Sequence, residues 1–356
     1  MKKKRILFTG GGTAGHVTVN LALIPEFQRE GWEVDYIGSR DGIEKDLIGQ
    51  LDNVNYYAIS TGKLRRYMSI ENLKDPFKVV KGTLQSWKII GKRKPAVVFS
   101  KGGFVSVPVV LASKLRGVSA VIHESDFTPG LANKLAIPFA KKILATFPET
   151  VKYLPEEKAE YVGAVVREEL FLGDKNKGLA LCGFNREKPV LLIMGGSGGA
   201  HKINETVRGS LATLLDKFQI VHICGTGKVD ESVQKEGYVQ FEYVNEELKD
   251  IFSITDFVLS RAGSNAIFEF LALHIPMLLI PLSKEASRGD QIINAKSFQE
   301  KTYARVLEEE NLTEETLNKE LDKLVQQAPI IMDQMKKYQS EKSRDRVIEI
   351  IKESTK

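Results

Sequence analysis

Cysteine is nearly absent from this sequence. Only Cys182 and Cys224 occur in 356 residues, and their separation matches neither zinc-ligand nor redox spacing. A reduced, cytoplasmic setting fits that scarcity. Long apolar runs are missing too: none approaches the roughly 18 residues that a membrane-spanning helix needs. The basic start, Met1 to Arg5, looks like the head of a signal peptide. Ile6-Leu7-Phe8, however, is too short for its apolar region and runs straight into glycines. Neither secretion nor spanning is expected. A strong charge of one sign is also lacking, since the net charge is only +5. What is present is a globular composition, with 42% apolar and 27% charged residues. The length exceeds one ordinary core, so two domains are expected.

Charge is unevenly placed. Residues 1–165 hold 25 Lys+Arg against 16 Asp+Glu, while residues 166–356 hold 26 against 30. The first half is thus net basic and the second net acidic, as two domains with different partners would be.

Short β-branched runs alternate with amphipathic helices. Arg5–Thr9 predicts a strand, Gly10 to Gly15 a glycine loop, and His16 to about Glu30 a helix. Further strands are expected at Glu33–Ile37, Tyr56–Ile59, Ala96–Phe99, Ser119–Ile122 and Lys142–Ala145. The theme restarts with a strand at Pro189–Met194, the loop Gly195-Gly-Ser-Gly-Gly199 and a helix from Ala200. Strands at Gln219–Ile223, Phe257–Ser260 and Pro276–Ile280 follow. Strand, loop and helix repeated in this way imply a parallel sheet covered on both faces. Two doubly wound α/β domains are expected, with the boundary between Gly163 and Pro189. Gly173–Gly178 is linker-like, although such a loop also suits the inside of the second domain. The tail from about Ile331 to Glu353 is charged, helical and free of glycine.

In such sheets ligands collect beyond the carboxyl ends of the strands. Glycines there let backbone N–H groups approach an anion, and the next helix presents its positive end. Two such loops suggest a cleft that holds phosphates. Gly10, Gly12 and Gly15 formally satisfy G-x-G-x-x-G, a weak signal alone. A dinucleotide site also wants an acidic residue at the end of the second strand. Asp35 falls mid-strand and Asp41 beyond it, so neither suits. A third pair, Gly102-Gly103, follows the strand Ala96–Phe99 and serves equally as a close approach or a plain turn.

Six motifs stand in order: Gly11-Gly-Thr-Ala-Gly-His16, Lys101-Gly-Gly-Phe-Val-Ser-Val-Pro108, and His123-Glu-Ser-Asp126 with Gly130-Leu-Ala-Asn133. Gly195-Gly-Ser-Gly-Gly-Ala200, Arg261-Ala-Gly-Ser-Asn-Ala-Ile-Phe-Glu269 and Asp290-Gln-Ile-Ile-Asn-Ala295 complete the set. From about residue 5 to residue 300 the chain resembles the MurG family, the N-acetylglucosaminyltransferases of peptidoglycan synthesis in glycosyltransferase family 28. The resemblance implies a GT-B fold, two doubly wound Rossmann-like domains facing a central cleft. The implied acceptor and membrane domain is 1–163 with a C-terminal helix at about 338–356. The implied donor domain is 164–337. The implied reaction moves N-acetylglucosamine, with inversion, from UDP-N-acetylglucosamine to the 4-hydroxyl of the muramoyl sugar of lipid I (undecaprenyl-diphospho-muramoylpentapeptide), giving lipid II. No cofactor and no tightly held metal are implied, and no compact Asp-x-Asp motif is present.

Such chemistry needs a base for the acceptor hydroxyl, a cradle for the departing diphosphate, and groups that position the sugar. His16 matches the family's loop histidine. A helix start lowers an imidazole's pKa, which suits a neutral base, but the same place suits an acceptor diphosphate. Glu124 is a rival base or a structural carboxylate that bonds loop amides. Asp126 stands where many relatives have Asn, and serves as base or as acceptor-sugar ligand. Gly11, Gly12, Gly102, Gly103 and Ser106 form the implied acceptor-diphosphate set.

On the donor side, Ser197 matches a diphosphate-contacting serine and Arg167 a donor-site arginine. Val244 matches the residue whose backbone meets uracil. Glu269 matches the carboxylate that accepts from the ribose hydroxyls. Gln291 matches a glutamine on the sugar hydroxyls, with Asp290 in place of a second glutamine. Thr13, Ala14 and Gly15 match the loop touching the donor sugar, and Asn133, Ser264 and Asn265 complete the implied donor set. His201, His222 and His274 show no cluster and are expected to be structural.

Residues 63–94 hold ten Lys+Arg and only two acidic residues, so the basic excess of the whole chain lies there. Leu73, Phe77, Val80, Leu84 and Trp87 recur at helical spacing within it, with Lys74, Lys78, Lys81 and Lys88 alongside. Part of this stripe is expected to pack on its own sheet. A basic amphipathic helix also suits an anionic membrane surface. The resemblance then implies a peripheral protein at the cytoplasmic face of the bacterial cell membrane, with other cell-wall synthesis proteins as candidate partners. The readings kept beside this one are another GT-B transferase with a different acceptor and, more distantly, an NAD-dependent oxidoreductase. A nucleic-acid partner is not expected, because no recognisable module accompanies the basic residues.

Overall fold

The structure is a computed structural model and describes residues 3–62, 70–196, 199–284, 289–338 and 341–355. Its contacts divide the chain into two compact units, Met1–Arg167 with Ser340–Lys356, and Glu168–Gln339.

In chain order the first unit contains β1 (Arg5–Thr9), α1 (Thr18–Arg29), β2 (Glu33–Ser39), α2 (Ile43–Gly49), β3 (Val54–Ile59) and α3 (Ile70–Arg93). It continues with β4 (Val97–Ser100), α4 (Ser106–Leu115), β5 (Ser119–Glu124), α5 (Leu131–Ala136), β6 (Lys142–Ala145) and β7 (Ala159–Tyr161). The strands form one parallel sheet in the order β3-β2-β1-β4-β5-β6-β7. Alternation along β1 shows why the strand runs are so apolar. Ile6 and Phe8 point to one face, packing on Leu23, Ile24 and Phe27 of α1. Leu7 points to the other, packing with Val109 and Val110 of α4 and Ile90 of α3. Both faces are covered, so both sets must be hydrophobic.

The second unit contains α6 (Lys175–Cys182), β8 (Val190–Met194), α7 (His201–Gly209), α8 (Leu211–Leu215), β9 (Gln219–Ile223), β10 (Tyr238–Phe241) and α9 (Leu248–Ile254). After these come β11 (Phe257–Ser260), α10 (Ser264–Ala272), β12 (Met277–Leu279), α11 (Asp290–Glu300), β13 (Ala304–Val306) and α12 (Glu314–Met335). Its parallel sheet runs β10-β9-β8-β11-β12-β13. Gly173–Gly178 does not link the units. It lies inside the second unit, where the Asp174 carboxylate caps α6 by accepting from Asn176 N at 2.8 Å. That cap fixes the loop to the helix it starts.

The charged tail spans the end of one helix and the whole of a second. α12 ends at Met335, and α13 (Glu341–Glu353) follows. α13 belongs to the first unit, where Val347, Ile350 and Ile351 join the cluster of Phe8 and Phe99. Arg346 bonds Glu160 at 2.8 Å and Arg344 meets Glu26 at 3.1 Å, so the charged face is anchored as well.

In each sheet the strand order reverses once, between β1 and β4 and between β8 and β11. At such a reversal two loops leave the sheet in opposite directions, and the crevice between them receives ligands. The loops at these two places are the glycine loops of the sequence.

Candidate active site

At the first reversal, the loop after β1 and the loop after β4 touch. Gly103 has φ 79°, and a Cβ there would run into the Gly11 carbonyl oxygen and sit 3.2 Å from His16 Nδ1. Only glycine lets the two backbones approach so closely. His16 stands on a short 3-10 turn, Ala14–His16, with Nδ1 3.1 Å from the Thr13 hydroxyl. α1 starts only at Thr18, so the imidazole is not at an α-helix terminus as expected. Its pKa falls from 6.5 to about 4 for other reasons. Burial is the larger, and the Lys101 ammonium adds to it against the Asp126 and Glu44 carboxylates. The ring is neutral at pH 7.

Lys101 is the residue that the sequence reading left without a role. It is buried, and its ammonium donates to the Ser125 hydroxyl. Burial pulls its pKa down to about 8, while the carboxylates of Glu124 and Asp126 oppose that fall. A lysine directly before a glycine pair at a strand end was the available signal. His16, Lys101 and Asp126 therefore form one electrostatic group at the carboxyl edge of the sheet.

Glu124 does not stand free within that group. Oε1 accepts from Asp126 N at 2.9 Å, and Oε2 accepts from Gly130 N at 2.9 Å and Asn133 Nδ2 at 2.8 Å. Burial and the neighbouring Asp126 charge push its carboxyl up, and these three bonds oppose the rise. All three partners are donors, so the ionised form is the one they satisfy. Of the two roles open for Glu124, the geometry is that of a loop-holding carboxylate.

The other residues singled out in this unit are largely bound to the loops. Ser106 opens α4, and its hydroxyl donates to the Gly102 carbonyl at 2.7 Å. Asn133 gives its amide protons to Glu124 and, at 3.3 Å, to the His123 carbonyl. Gly11 is buried, and the Gly12 amide donates to Glu44 at 3.1 Å. That amide is not available to a diphosphate in this structure. Thr13 is exposed and Ala14 and Gly15 are half-buried, on the open side of the loop. Arg167 is half-buried at the end of the first unit. Asp35, which a dinucleotide site would need, accepts twice from Arg93 at 2.8 Å and once from Asn55 at 3.1 Å.

In the second unit Ser197 lies outside the described residues. Beside it, Gly199 N donates to the Gly196 carbonyl at 2.8 Å, closing the loop before α7. Ser264 and Asn265 open α10 and Glu269 lies buried along it. Asp290 and Gln291 open α11, and Gln291 Oε1 accepts from Leu282 N at 3.0 Å. Asn294 Nδ2 reaches the Ala262 carbonyl at 3.2 Å, which pins α11 to the loop after β11. Val244 is buried in the turn beyond β10. His222 is held between Tyr238 at 2.8 Å and Asn204 at 3.0 Å. His201 is exposed beside Glu205, and His274 ends a helix at φ 56°. Among the described residues, no three His, Cys, Asp or Glu side chains gather as a metal site.

The basic stretch corrects one expectation. The apolar stripe of α3 does not pack on the sheet: Phe77 is 78% exposed, Val80 60%, Leu84 58% and Trp87 38%. The inward face is built from Thr83, Ser86, Ile90 and Gly82, whose Cβ would strike the Ser60 carbonyl oxygen. Small residues bring α3 close to the sheet, and the large ones are left outside. Arg116 lies 3.3 Å from the Trp87 ring centroid and donates to the Trp87 carbonyl at 2.9 Å, so the indole is fixed at the surface. Lys74 and Leu73 have side chains outside the described ones. Among the described residues, no helix is long and apolar enough to cross a membrane.

Comparisons with known proteins agree across the chain. Residues 6–145 match the glycosyltransferase family 28 N-terminal domain and residues 190–350 its C-terminal domain. A UDP-N-acetylglucosamine--N-acetylmuramyl-(pentapeptide) pyrophosphoryl-undecaprenol N-acetylglucosamine transferase of Oceanobacillus iheyensis is 72% identical, over 98% of both chains. A protein of the same name from Geobacillus kaustophilus is 55% identical over 99% of both. Among solved structures, Acinetobacter baumannii MurG matches with a TM-score of 0.76 at 24% identity, covering 98% of this chain and 99% of that one. A UDP-bound anthocyanidin 3-O-glucosyltransferase matches at 0.70 and 15% identity, over 99% of both. These likenesses show the GT-B fold of two Rossmann-like units. With both of its domains present and relatives matched almost end to end, the chain belongs to glycosyltransferase family 28.

Proposed function

We propose that this protein transfers N-acetylglucosamine from UDP-N-acetylglucosamine to the 4-hydroxyl of the muramoyl sugar of lipid I, releasing UDP and lipid II. The observation that carries the reading is the 72% identity, over 98% of both chains, with a relative whose name states that donor sugar and that acceptor. The acceptor oxygen attacks the anomeric carbon, the bond to the diphosphate breaks, and UDP leaves with the electron pair. One displacement inverts the anomeric centre. The acceptor proton passes to the base.

His16 suits that base because it is neutral and lies on the open glycine loop. An imidazole held near pKa 4 is a weak base, however. An anionic diphosphate beside Lys101 would offset the cation that depresses His16, and Asp126 would then stabilise the imidazolium. The acceptor thus prepares its own base. On the donor side, the Glu269 carboxylate would accept from the ribose hydroxyls, and the Gln291 amide would donate to the sugar. Donor diphosphate would meet the loop at Gly195 to Gly199, and the Arg167 guanidinium is the cation proposed for the donor. No resident metal or cofactor is needed in this scheme.

The proposal includes reversible attachment to the anionic cytoplasmic face of the cell membrane through Phe77, Val80, Leu84 and Trp87. An exposed apolar row flanked by Lys78, Lys81 and Lys88 combines the two attractions such a surface offers. Each lysine adds about 1 kcal/mol near the membrane. Replacing Lys78, Lys81 and Lys88 by Glu should weaken co-sedimentation with anionic vesicles about 100-fold or more. Equal binding would remove this part of the reading.

Calorimetry separates the main reading from a dehydrogenase. UDP-N-acetylglucosamine should bind and NAD should not. Binding of NAD alone would overturn the proposal.

A further inference from the structure

Glu44 is a buried carboxylate that the reaction above does not use. It sits in the first turn of α2, where Oε1 accepts from Ser39 N at 2.8 Å and from the Ser39 hydroxyl at 2.6 Å. Oε2 accepts from the Gly12 amide at 3.1 Å. An isolated buried carboxylate costs several kcal/mol, so it persists only where donors surround it. One of those donors is the amide that a G-x-G-x-x-G loop would otherwise turn toward a ligand phosphate. The surroundings are shaped for the carboxylate. A Cβ at Gly11 or at Gly42 would collide with the carboxylate where it lies, so a side chain at either position would push Glu44 out of place.

A second contact fixes the same loop from the same side. The Tyr36 hydroxyl donates to the Gly10 carbonyl at 2.7 Å and accepts from Asn20 Nδ2 at 3.0 Å. The Tyr36 ring stacks on Tyr56, whose hydroxyl donates to the Ser39 carbonyl at 2.6 Å. Gly10 is thus held by its carbonyl and Gly12 by its amide, four residues before His16.

We infer that Glu44 is an internal anion for the first glycine loop: a positioning residue that occupies the Gly12 amide, holds the His16 turn in place, and keeps substrate phosphate from that amide. Like charge excludes a second anion from the slot, so the acceptor diphosphate meets other groups, among them Lys101. Burial alone would raise the Glu44 carboxyl. The bonds from Ser39 and Gly12 outweigh burial and hold it below the usual range, as an occupied anion slot requires.

The inference rests on the transferase reading, so its test needs one readout that does not depend on activity. In Glu44→Gln, an amide N–H replaces one acceptor oxygen and the Gly12 amide loses its partner. Hydrogen exchange at the Gly12 amide should quicken at least tenfold. In transfer assays, kcat should fall about tenfold or more, with KM for UDP-N-acetylglucosamine within threefold of wild type. Glu44→Ala empties the slot, and added formate should restore part of its kcat. Unchanged exchange and unchanged kcat in Glu44→Gln would overturn the inference. So would a loss confined to KM, or a Glu44→Ala enzyme that formate does not revive. Failure of the wild type to transfer sugar at all would instead sink the transferase reading, and the exchange data would still decide the clamp.

Discussion

Glu124→Gln separates a base from a loop anchor. The wild-type carboxylate accepts three bonds, from Asp126 N, Gly130 N and Asn133 Nδ2. The Gln carbonyl oxygen keeps one of them, to Asp126 N. Its new N–H₂ group then faces two donors. Asn133 can rotate its amide, because its Oδ1 has no partner among the described residues, and so accept from the Gln. Gly130 N has no such remedy. One charge-assisted bond is lost outright, and the others become neutral. Bonds to charged groups contribute about 1.5–3 kcal/mol each, so the variant should lose about 2–4 kcal/mol. For a unit of this size that is a fall of about 5–15 °C in its unfolding midpoint. The loop carrying Asp126 shifts with it, and kcat should fall about 10- to 100-fold. Thermal unfolding and single-turnover transfer read the two effects. An unaltered midpoint with transfer abolished would refute the reasoning, because Glu124 would then be acting on substrate directly.

Three further outcomes follow from the same geometry. Lys101→Met removes the cation that depresses His16 and leaves Asp126 and Glu44 facing it, so NMR titration should find the His16 pKa moved up from about 4 towards 6.5. An unmoved titration would mean that burial alone sets it. Stability should also fall as pH drops from about 6.5 towards 4. The unfolded chain protonates His123 and His222 in that window, whereas folded His222 titrates near 3 and His123 well below its ordinary value. The unfolded state then binds the extra proton. The first unit, which also holds His16, should lose up to about 2.7 kcal/mol per pH unit and the second up to about 1.4, and chemical denaturation at pH 7, 6 and 5 would show a flat response if this were wrong. Asp35→Asn leaves the guanidinium of Arg93 without its buried partner and should destabilise the first unit by about 3–5 kcal/mol. Its transfer rate at low temperature should be unchanged, and a large loss there would restore Asp35 as a ligand group.

The sequence made the interior of the fold legible and its margins less so. Phe257–Ser260 was read to the residue because a central strand, covered on both faces, is apolar up to its carboxyl end. Ala159–Tyr161, Tyr238–Phe241 and Ala304–Val306 were missed, and all three lie at sheet edges, where half-exposed residues carry no clear pattern. Periodicity found the stripe on α3 but could not say which face meets the sheet. Close approach at Gly82 settled that, and it depends on the Ser60 carbonyl twenty-two positions away. In the site, the glycine loops and His16 were visible as motifs. The neutral state of His16 was anticipated, but its cause was not, because burial and Lys101 act only once β1 and β4 are neighbours. Glu44 was invisible for the same reason: it meets Gly12 across 32 positions.

The central claim is sugar transfer to lipid I at the carboxyl edge of the first sheet. Single-turnover transfer from UDP-N-acetylglucosamine to lipid I, with wild type, His16→Ala and Asp126→Asn in parallel, tests it most directly. The account predicts lipid II with an inverted anomeric linkage from the wild type, and at least a 100-fold slower rate in His16→Ala, with Asp126→Asn also slowed. No product from the wild type, or wild-type rates in both variants, would contradict it.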